Sequence, residues 1–202
     1  MVEFHLRGTG YMKYAVYALV AAAVFGYLFL TDEKPKTDLS QVLNRSVIAM
    51  ERYDQYLKDS NVEKATDEHL KQLNGFMQKV MNADPRFHTG MIATSLGGDA
   101  KITGVDDANG NGQADADEKK LFTVEIDSAN NRLIATDESG AGTYRGFSGT
   151  GFLAGALIGA MLSRQRSAGV QPGSFNNRKL ASPATYTQAR SRARSGGLRG
   201  GK

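Results

Sequence analysis

The 202-residue chain contains no cysteine and only three histidines, which excludes several kinds of chemistry. Without cysteine there is no disulfide, no thiolate metal site, no thiol nucleophile and no lipid attachment of the lipoprotein type. His5, His69 and His88 lie far apart and form no metal-ligand spacing, and His69 is predicted to be a surface residue. The sequence also contains no nucleophile elbow, phosphate-binding loop or dinucleotide fingerprint. We therefore expect that the protein is not an enzyme.

Acidic residues are absent from the end of the chain. Residues 164–202 contain nine Lys and Arg and no Asp or Glu, whereas the other 16 of the 25 basic residues accompany all 21 acidic ones. With few large apolar side chains, this basic tail is predicted to be flexible. It could bind anionic lipid or, less readily, nucleic acid, or it could serve only to fix membrane topology. The candidate arginines are Arg190, Arg192, Arg194 and Arg199.

Charge is also absent from residues 14–30, a run of 17 mostly apolar residues flanked by tyrosines. At about 1.5 Å per residue, a helix of this length approaches the hydrocarbon thickness of a bilayer. We therefore predict that residues 1–31 contain an N-terminal transmembrane anchor. The alternative is a cleaved signal peptide, and translation could also start at Met12 rather than Met1.

A second apolar segment, residues 146–163, carries glycines at every fourth position. Gly151, Gly155 and Gly159 would share one face of a helix and allow close approach of a neighbouring helix. The pattern resembles the glycine-zipper segments of bacterial envelope proteins. That resemblance implies a second transmembrane helix that packs against another copy of the chain or against a partner helix. The alternative is a buried or peripheral glycine-rich helix.

Two spans would fix the topology through the positive-inside rule. The basic tail would place the C-terminus in the cytoplasm, and Arg7 and Lys13 would place the N-terminus there as well. The acidic middle would then lie outside the cytoplasm, and we expect the protein to reside in the bacterial inner membrane.

The middle region, residues 32–145, is predicted to be an α+β domain. Apolar residues at three- and four-residue steps predict a helix over 37–59 and a second that starts at Thr66 or Asp67 and ends before Pro85. Short β-type runs follow, and the alternation in the third of them predicts a strand with one buried face. The predicted strands are 91–96, 100–105, 121–126 and 132–136.

One segment between two predicted strands, residues 107–118, has the composition of a calcium loop. Oxygen-bearing residues alternate along it, and Gly112 stands at its sixth position. The candidate ligands are Asp107, Asn109, Asn111, Gln113 (through its backbone carbonyl), Asp115 and Glu118. The segment resembles the EF-hand loop at each ligand position, which implies Ca²⁺ as its ion.

The loop departs from that family in two respects. Ala114 occupies the position where paired EF-hands carry Ile, Val or Leu, and the flanking segments are predicted strands rather than helices. We therefore expect weak binding, with a dissociation constant on the order of 10⁻⁴ to 10⁻³ M. A plain turn is the alternative, because Asp, Asn and Gly are common turn residues.

These observations favour an integral membrane protein with a structural or interaction role. Its outer domain would be stabilised by calcium, which would act as a structural staple. A membrane-tethered adaptor that acts through the basic tail and a calcium-responsive sensor are the alternatives.

Overall fold

Two helices precede a five-stranded antiparallel sheet in the computed structural model, which describes residues 37–149 and 151–185. The helices are α1 (Leu39–Asp59), α2 (Asp67–Met81) and α3 (Ala156–Ser167), with a short 3-10 helix at Phe152–Ala154. The strands are β1 (Ile92–Leu96), β2 (Ile102–Asp106), β3 (Lys120–Asp127), β4 (Arg132–Asp137) and β5 (Gly142–Gly146), adjacent in chain order. The predicted α+β order, with helices first and a small antiparallel sheet after them, is confirmed.

Both N-terminal helices begin at side-chain caps. The Asp38 carboxylate accepts hydrogen bonds from the backbone N–H groups of Ser40 and Gln41 at 3.2 and 3.3 Å. At the start of α2, the backbone N–H of Thr66 donates to His69 Nδ1 at 3.0 Å, and Thr66 Oγ1 accepts from His69 N at 3.4 Å. Such reciprocal caps satisfy backbone groups that a helix end leaves without partners. The half-exposed His69 therefore stabilises a helix terminus.

Strand β3 is buried on both faces, although its alternating pattern predicts one exposed face. Phe122 and Val124 contribute to the core shared with the helices, and Glu125 is also buried. Glu125 is covered because Arg178, which follows α3 in the chain, binds its carboxylate through both guanidinium NH₂ groups. The chain after α3 therefore contacts the face of the sheet that the pattern assigns to solvent.

The predicted second transmembrane helix is wrong. Helix α3 begins only at Ala156 and has 12 residues, which span roughly 18 Å against the ~30 Å of a bilayer core. Leu157, Ile158 and Met161 on α3 are buried in the same core as α1 and α2. In the part of the chain that the structure describes, no helix is long and apolar enough to cross a membrane. The glycine-rich segment thus matches the alternative of a buried helix. Without a second span, the basic tail no longer predicts that both termini lie in the cytoplasm.

The three glycines do not form a helix-packing strip. Gly151 and Gly159 are exposed, and a Cβ atom at either position would meet nothing within 4 Å. Gly155 is buried at the N-cap of α3, where a Cβ would come within 2.5 Å of the Asp54 carboxyl carbon. Asp54 Oδ1 accepts a hydrogen bond from Leu157 N at 3.3 Å, so a carboxylate of α1 lies at the positive end of α3. Gly155 is needed for this contact with the Asp54 side chain of α1, not for the packing of a transmembrane helix pair.

This arrangement predicts opposite effects of alanine at two of the glycines. Gly159→Ala should stabilise the protein by about 1 kcal/mol, because alanine has the higher helix propensity and open space is available. Gly155→Ala should destabilise it by about 1–3 kcal/mol, because the new methyl group displaces the Asp54 cap. Urea denaturation of the two variants measures both effects. A loss of stability in both variants would contradict the structure and support a glycine packing strip.

The predicted flexibility of residues 164–202 is wrong for residues 164–185. Helix α3 extends to Ser167, and Phe175 is buried. Ala181 forms a parallel bridge with Thr143 of β5, and its N–H donates to the Gly142 carbonyl at 2.9 Å. Residues 186–202, which contain the four candidate arginines, lie outside the described residues. The predicted anchor at 14–30 also lies outside them, and both assignments stay predictions.

Candidate metal centre

The candidate calcium loop connects β2 to β3. The Asp106 N–H donates to the Lys119 carbonyl at 2.9 Å and so closes the base of the loop between two paired strands. The flanking elements are therefore strands, as the sequence predicts, and not the two helices of an EF-hand. Gly110 and Gly112 both have φ of +73°, a left-handed conformation that favours glycine. The loop backbone therefore has two positions, Gly110 and Gly112, at which a residue with a side chain would be strained.

Asp107, the first predicted ligand, is buried. Only 8% of its surface is exposed. Its Oδ2 accepts a hydrogen bond from Gly112 N at 3.0 Å, whereas its Oδ1 is buried without a hydrogen-bond partner among the described residues. A buried carboxylate oxygen without a partner is costly, because it has lost its hydration. A cation bound in the loop would supply the missing interaction.

Asn109, Asn111 and Asp115 converge inside the loop. The Nδ2 atoms of Asn109 and Asn111 donate to Asp115 Oδ2 at 2.9 and 2.8 Å. These bonds lower the pKa of Asp115 below its ordinary value because they stabilise the ionised carboxylate, and the bond from Asn109 has the larger effect on this pKa. The two amide nitrogens therefore engage Asp115 Oδ2, and a cation bound to this oxygen would compete with them. Ligation by their oxygens would require both amides to rotate.

The two asparagine oxygens and Glu118 bind backbone N–H groups of the loop. Asn109 Oδ1 accepts from Asn111 N at 2.9 Å, and Asn111 Oδ1 accepts from Gln113 N at 2.7 Å. Glu118 binds the N–H groups of Ala108 and Asp115, one with each carboxylate oxygen, both at 3.1 Å. Its two oxygens thus close the loop at its last position. Gln113 lies exposed directly after the Gly112 turn, where only its backbone carbonyl was expected to act.

The six predicted ligands therefore lie together in one loop, and they are of different chemical types. Across residues 37–149 and 151–185 there is no cluster of three or more Asp, Glu or His side chains placed to hold a metal ion. The loop instead combines three carboxylates with two amides and a backbone carbonyl. Ca²⁺ accepts neutral oxygens alongside carboxylates and tolerates irregular geometry, whereas Mg²⁺ requires a stricter octahedron. The buried Asp107 oxygen and this donor set fit calcium better than magnesium.

No family model, curated protein or solved structure matches this chain. We therefore infer the function from the geometry of the loop and its surroundings.

Two contacts outside the twelve residues hold the loop in place. The Asp107 N–H donates to the Met91 carbonyl at 2.9 Å, next to β1. Gln78 Nε2 on α2 donates to the Gly112 carbonyl at 3.1 Å. Sequence reasoning missed Gln78, because an isolated polar residue on an amphipathic helix gives no sign of a distant partner.

Proposed function

We propose that the described domain binds Ca²⁺ weakly through Asp107, Asn109, Asn111, Gln113, Asp115 and Glu118. The observation that carries the proposal is the buried Asp107 Oδ1, which has no hydrogen-bond partner among the described residues. The bound ion would act as a structural staple, stabilising the folded loop without a rearrangement elsewhere. A loop between two paired strands has no helix pair to open, which favours a staple over a sensor. Weak binding also favours an extracytoplasmic location, where calcium is abundant.

Calcium should raise the thermal stability of the full-length protein. For a dissociation constant on the order of 10⁻⁴ to 10⁻³ M, 10 mM calcium would stabilise the folded state by about 1.4–2.7 kcal/mol. For a domain of this size, that raises Tm by roughly 3–10 °C. We would measure Tm by circular dichroism in 10 mM CaCl₂ and in 10 mM MgCl₂, expecting the larger rise with calcium.

Asp107→Asn should remove this calcium response while leaving the calcium-free protein no less stable. The substitution eliminates the buried charge that the ion would neutralise, so both effects follow from one change. Asp117→Asn is the matched control, because it removes one charge from an exposed, non-ligand position of the same loop. Equal calcium responses in wild type, Asp107→Asn and Asp117→Asn would contradict the assigned ligands. The absence of any response in the wild type would leave the loop as a plain turn.

A further inference from the structure

Strand β1 lies at the edge of the sheet, and three side-chain amides, two from α2 and one from its C-cap residue, cover its outer backbone groups. Asn82 bonds both to Ile92 N at 2.9 Å and to Ile92 O at 2.7 Å. Gln78 Oε1 accepts from Thr94 N at 3.3 Å, and Asn74 Nδ2 donates to Thr94 O at 2.8 Å. Residues 74, 78 and 82 are spaced by four and so share one face of the helix. This amide ladder (Asn74, Gln78 and Asn82) takes the place of a neighbouring strand.

Gln78 also connects the ladder to the calcium loop. While its Oε1 accepts from Thr94, its Nε2 donates to the Gly112 carbonyl at 3.1 Å. A Cβ atom at Gly112 would lie 3.4 Å from Gln78 Nε2, so the two residues are in close contact. One side chain therefore bridges the edge strand and the sharpest turn of the loop.

Gly112 in turn fixes the orientation of the first ligand. Its carbonyl accepts from Gln78, and its N–H donates to Asp107 Oδ2 at 3.0 Å. With Oδ2 engaged in this way, Oδ1 is the carboxylate oxygen that remains for a cation. The chain of contacts runs from β1 through Gln78 and Gly112 to Asp107.

We infer that Gln78 is a positioning residue for the calcium site, supporting a loop that has no paired EF-hand. The inference rests on the proposed function and extends it. Because binding linkage is reciprocal, calcium should also reduce local opening of the β1 edge at Thr94. Gln78 thus makes the edge of the sheet responsive to occupancy of the loop.

Calcium titration of two ladder variants tests this role. Gln78→Met removes both hydrogen bonds at nearly constant volume. Because only the bond to Gly112 reaches the loop, we expect calcium binding to weaken about three- to tenfold, the effect of one hydrogen bond. Asn74→Ala removes a ladder bond to the same residue, Thr94, without touching the loop. It should lower the urea midpoint but leave the calcium dissociation constant within about twofold of wild type. Isothermal titration calorimetry with CaCl₂, on full-length protein in detergent, measures the calcium dissociation constant of each variant.

A measurement on the wild type covers the case in which Gln78→Met does not fold. Calcium at saturation should slow hydrogen exchange of the Thr94 amide about three- to tenfold under conditions of local opening. Unchanged affinity in a folded Gln78→Met protein, equal weakening by Asn74→Ala, or unaltered Thr94 exchange would each overturn the inference while leaving calcium binding intact. If the wild type binds no calcium at 10 mM, both the inference and the proposed function are wrong.

Discussion

Arg45→Met should lower the free energy of unfolding by about 3–5 kcal/mol. The Arg45 guanidinium is buried and donates to four backbone carbonyls at the end of α2 and just beyond it. The acceptors are Val80 and Ala83 at 2.6 and 2.8 Å, Met81 at 3.3 Å and Pro85 at 2.6 Å. The guanidinium also stacks on the Phe87 ring, 5.1 Å from its centroid. Methionine fills similar space but leaves these carbonyls without their donor.

The position of Arg45 explains the size of the expected effect. The last carbonyls of a helix have no partner within the helix, and the helix dipole favours a cation there. Hydrogen bonds to a charged donor contribute roughly 1.5–3 kcal/mol each, although such values do not add within one cluster.

Two further substitutions isolate this contribution in urea denaturation. Arg52→Met removes the same charge from an exposed position on α1 and should change stability by less than about 0.5 kcal/mol. Arg45→Lys keeps the charge but has one nitrogen in place of a planar fork, so it should recover only part of the loss. Equal denaturation midpoints for Arg45→Met and Arg52→Met would mean that water donates hydrogen bonds to these carbonyls as effectively as the guanidinium does.

The sequence predicted those elements whose signals are local. The helices α1 and α2 follow from apolar residues at helical spacing, and the second from a start signal at Thr66 or Asp67. Strands β1 to β4 follow from short apolar or alternating runs between turn residues. Strand β5 was missed because GTYRG begins and ends with glycine, which weakens the strand signal. It pairs with β4 across a short turn, and it also has a contact from further along the chain, since a Cβ at Gly142 would lie 2.7 Å from Leu180.

The prediction of a transmembrane helix for the glycine-rich segment was wrong because glycines spaced by four residues can have more than one physical cause. Glycines at steps of four allow a close helix pair, but here Gly155 alone is closely approached, and by the side chain of Asp54. That contact joins residues about a hundred positions apart, and no local pattern reveals it.

The candidate ligands could be predicted because all six lie within twelve consecutive residues. Two residues that hold the surrounding structure could not be predicted: Gln78, which contacts the loop, and Arg45, which contacts the end of α2. Gln78 contacts a residue 34 positions away, and Arg45 contacts residues 35 to 40 positions away. On a helix, a glutamine or arginine is ordinarily a solvent-exposed residue, and only the fold shows which of them bonds to distant backbone groups.

Arg178→Met should lower the free energy of unfolding by about 2–4 kcal/mol, because it removes the main partner of a buried carboxylate. Glu125 on β3 is only 7% exposed, and Arg178 binds both of its oxygens, with Nη2 at 3.1 Å from Oε1. Lys101 Nζ lies 3.7 Å from the same Oε1 and offers only partial compensation. Loss of Arg178 should also increase hydrogen exchange in residues 170–185, since this contact and the Ala181 bridge to β5 together hold that segment against the sheet. Lys179→Met, at the exposed neighbouring position, is the control.

A double substitution separates the cost of the buried charge from the value of the ion pair. Glu125 is buried, whereas the Arg178 side chain is 35% exposed. Removing only Arg178 leaves a buried charge without its main partner, but replacing both residues by apolar ones can be neutral. Glu125→Met together with Arg178→Met should therefore be more stable than Arg178→Met alone, by about 1–3 kcal/mol. Hydrogen exchange in residues 170–185 should stay elevated in the double variant if the ion pair is what attaches this segment. If exchange returns to the wild-type level, apolar contacts such as the buried Phe175 are sufficient to hold the segment, and Arg178 serves mainly to neutralise Glu125.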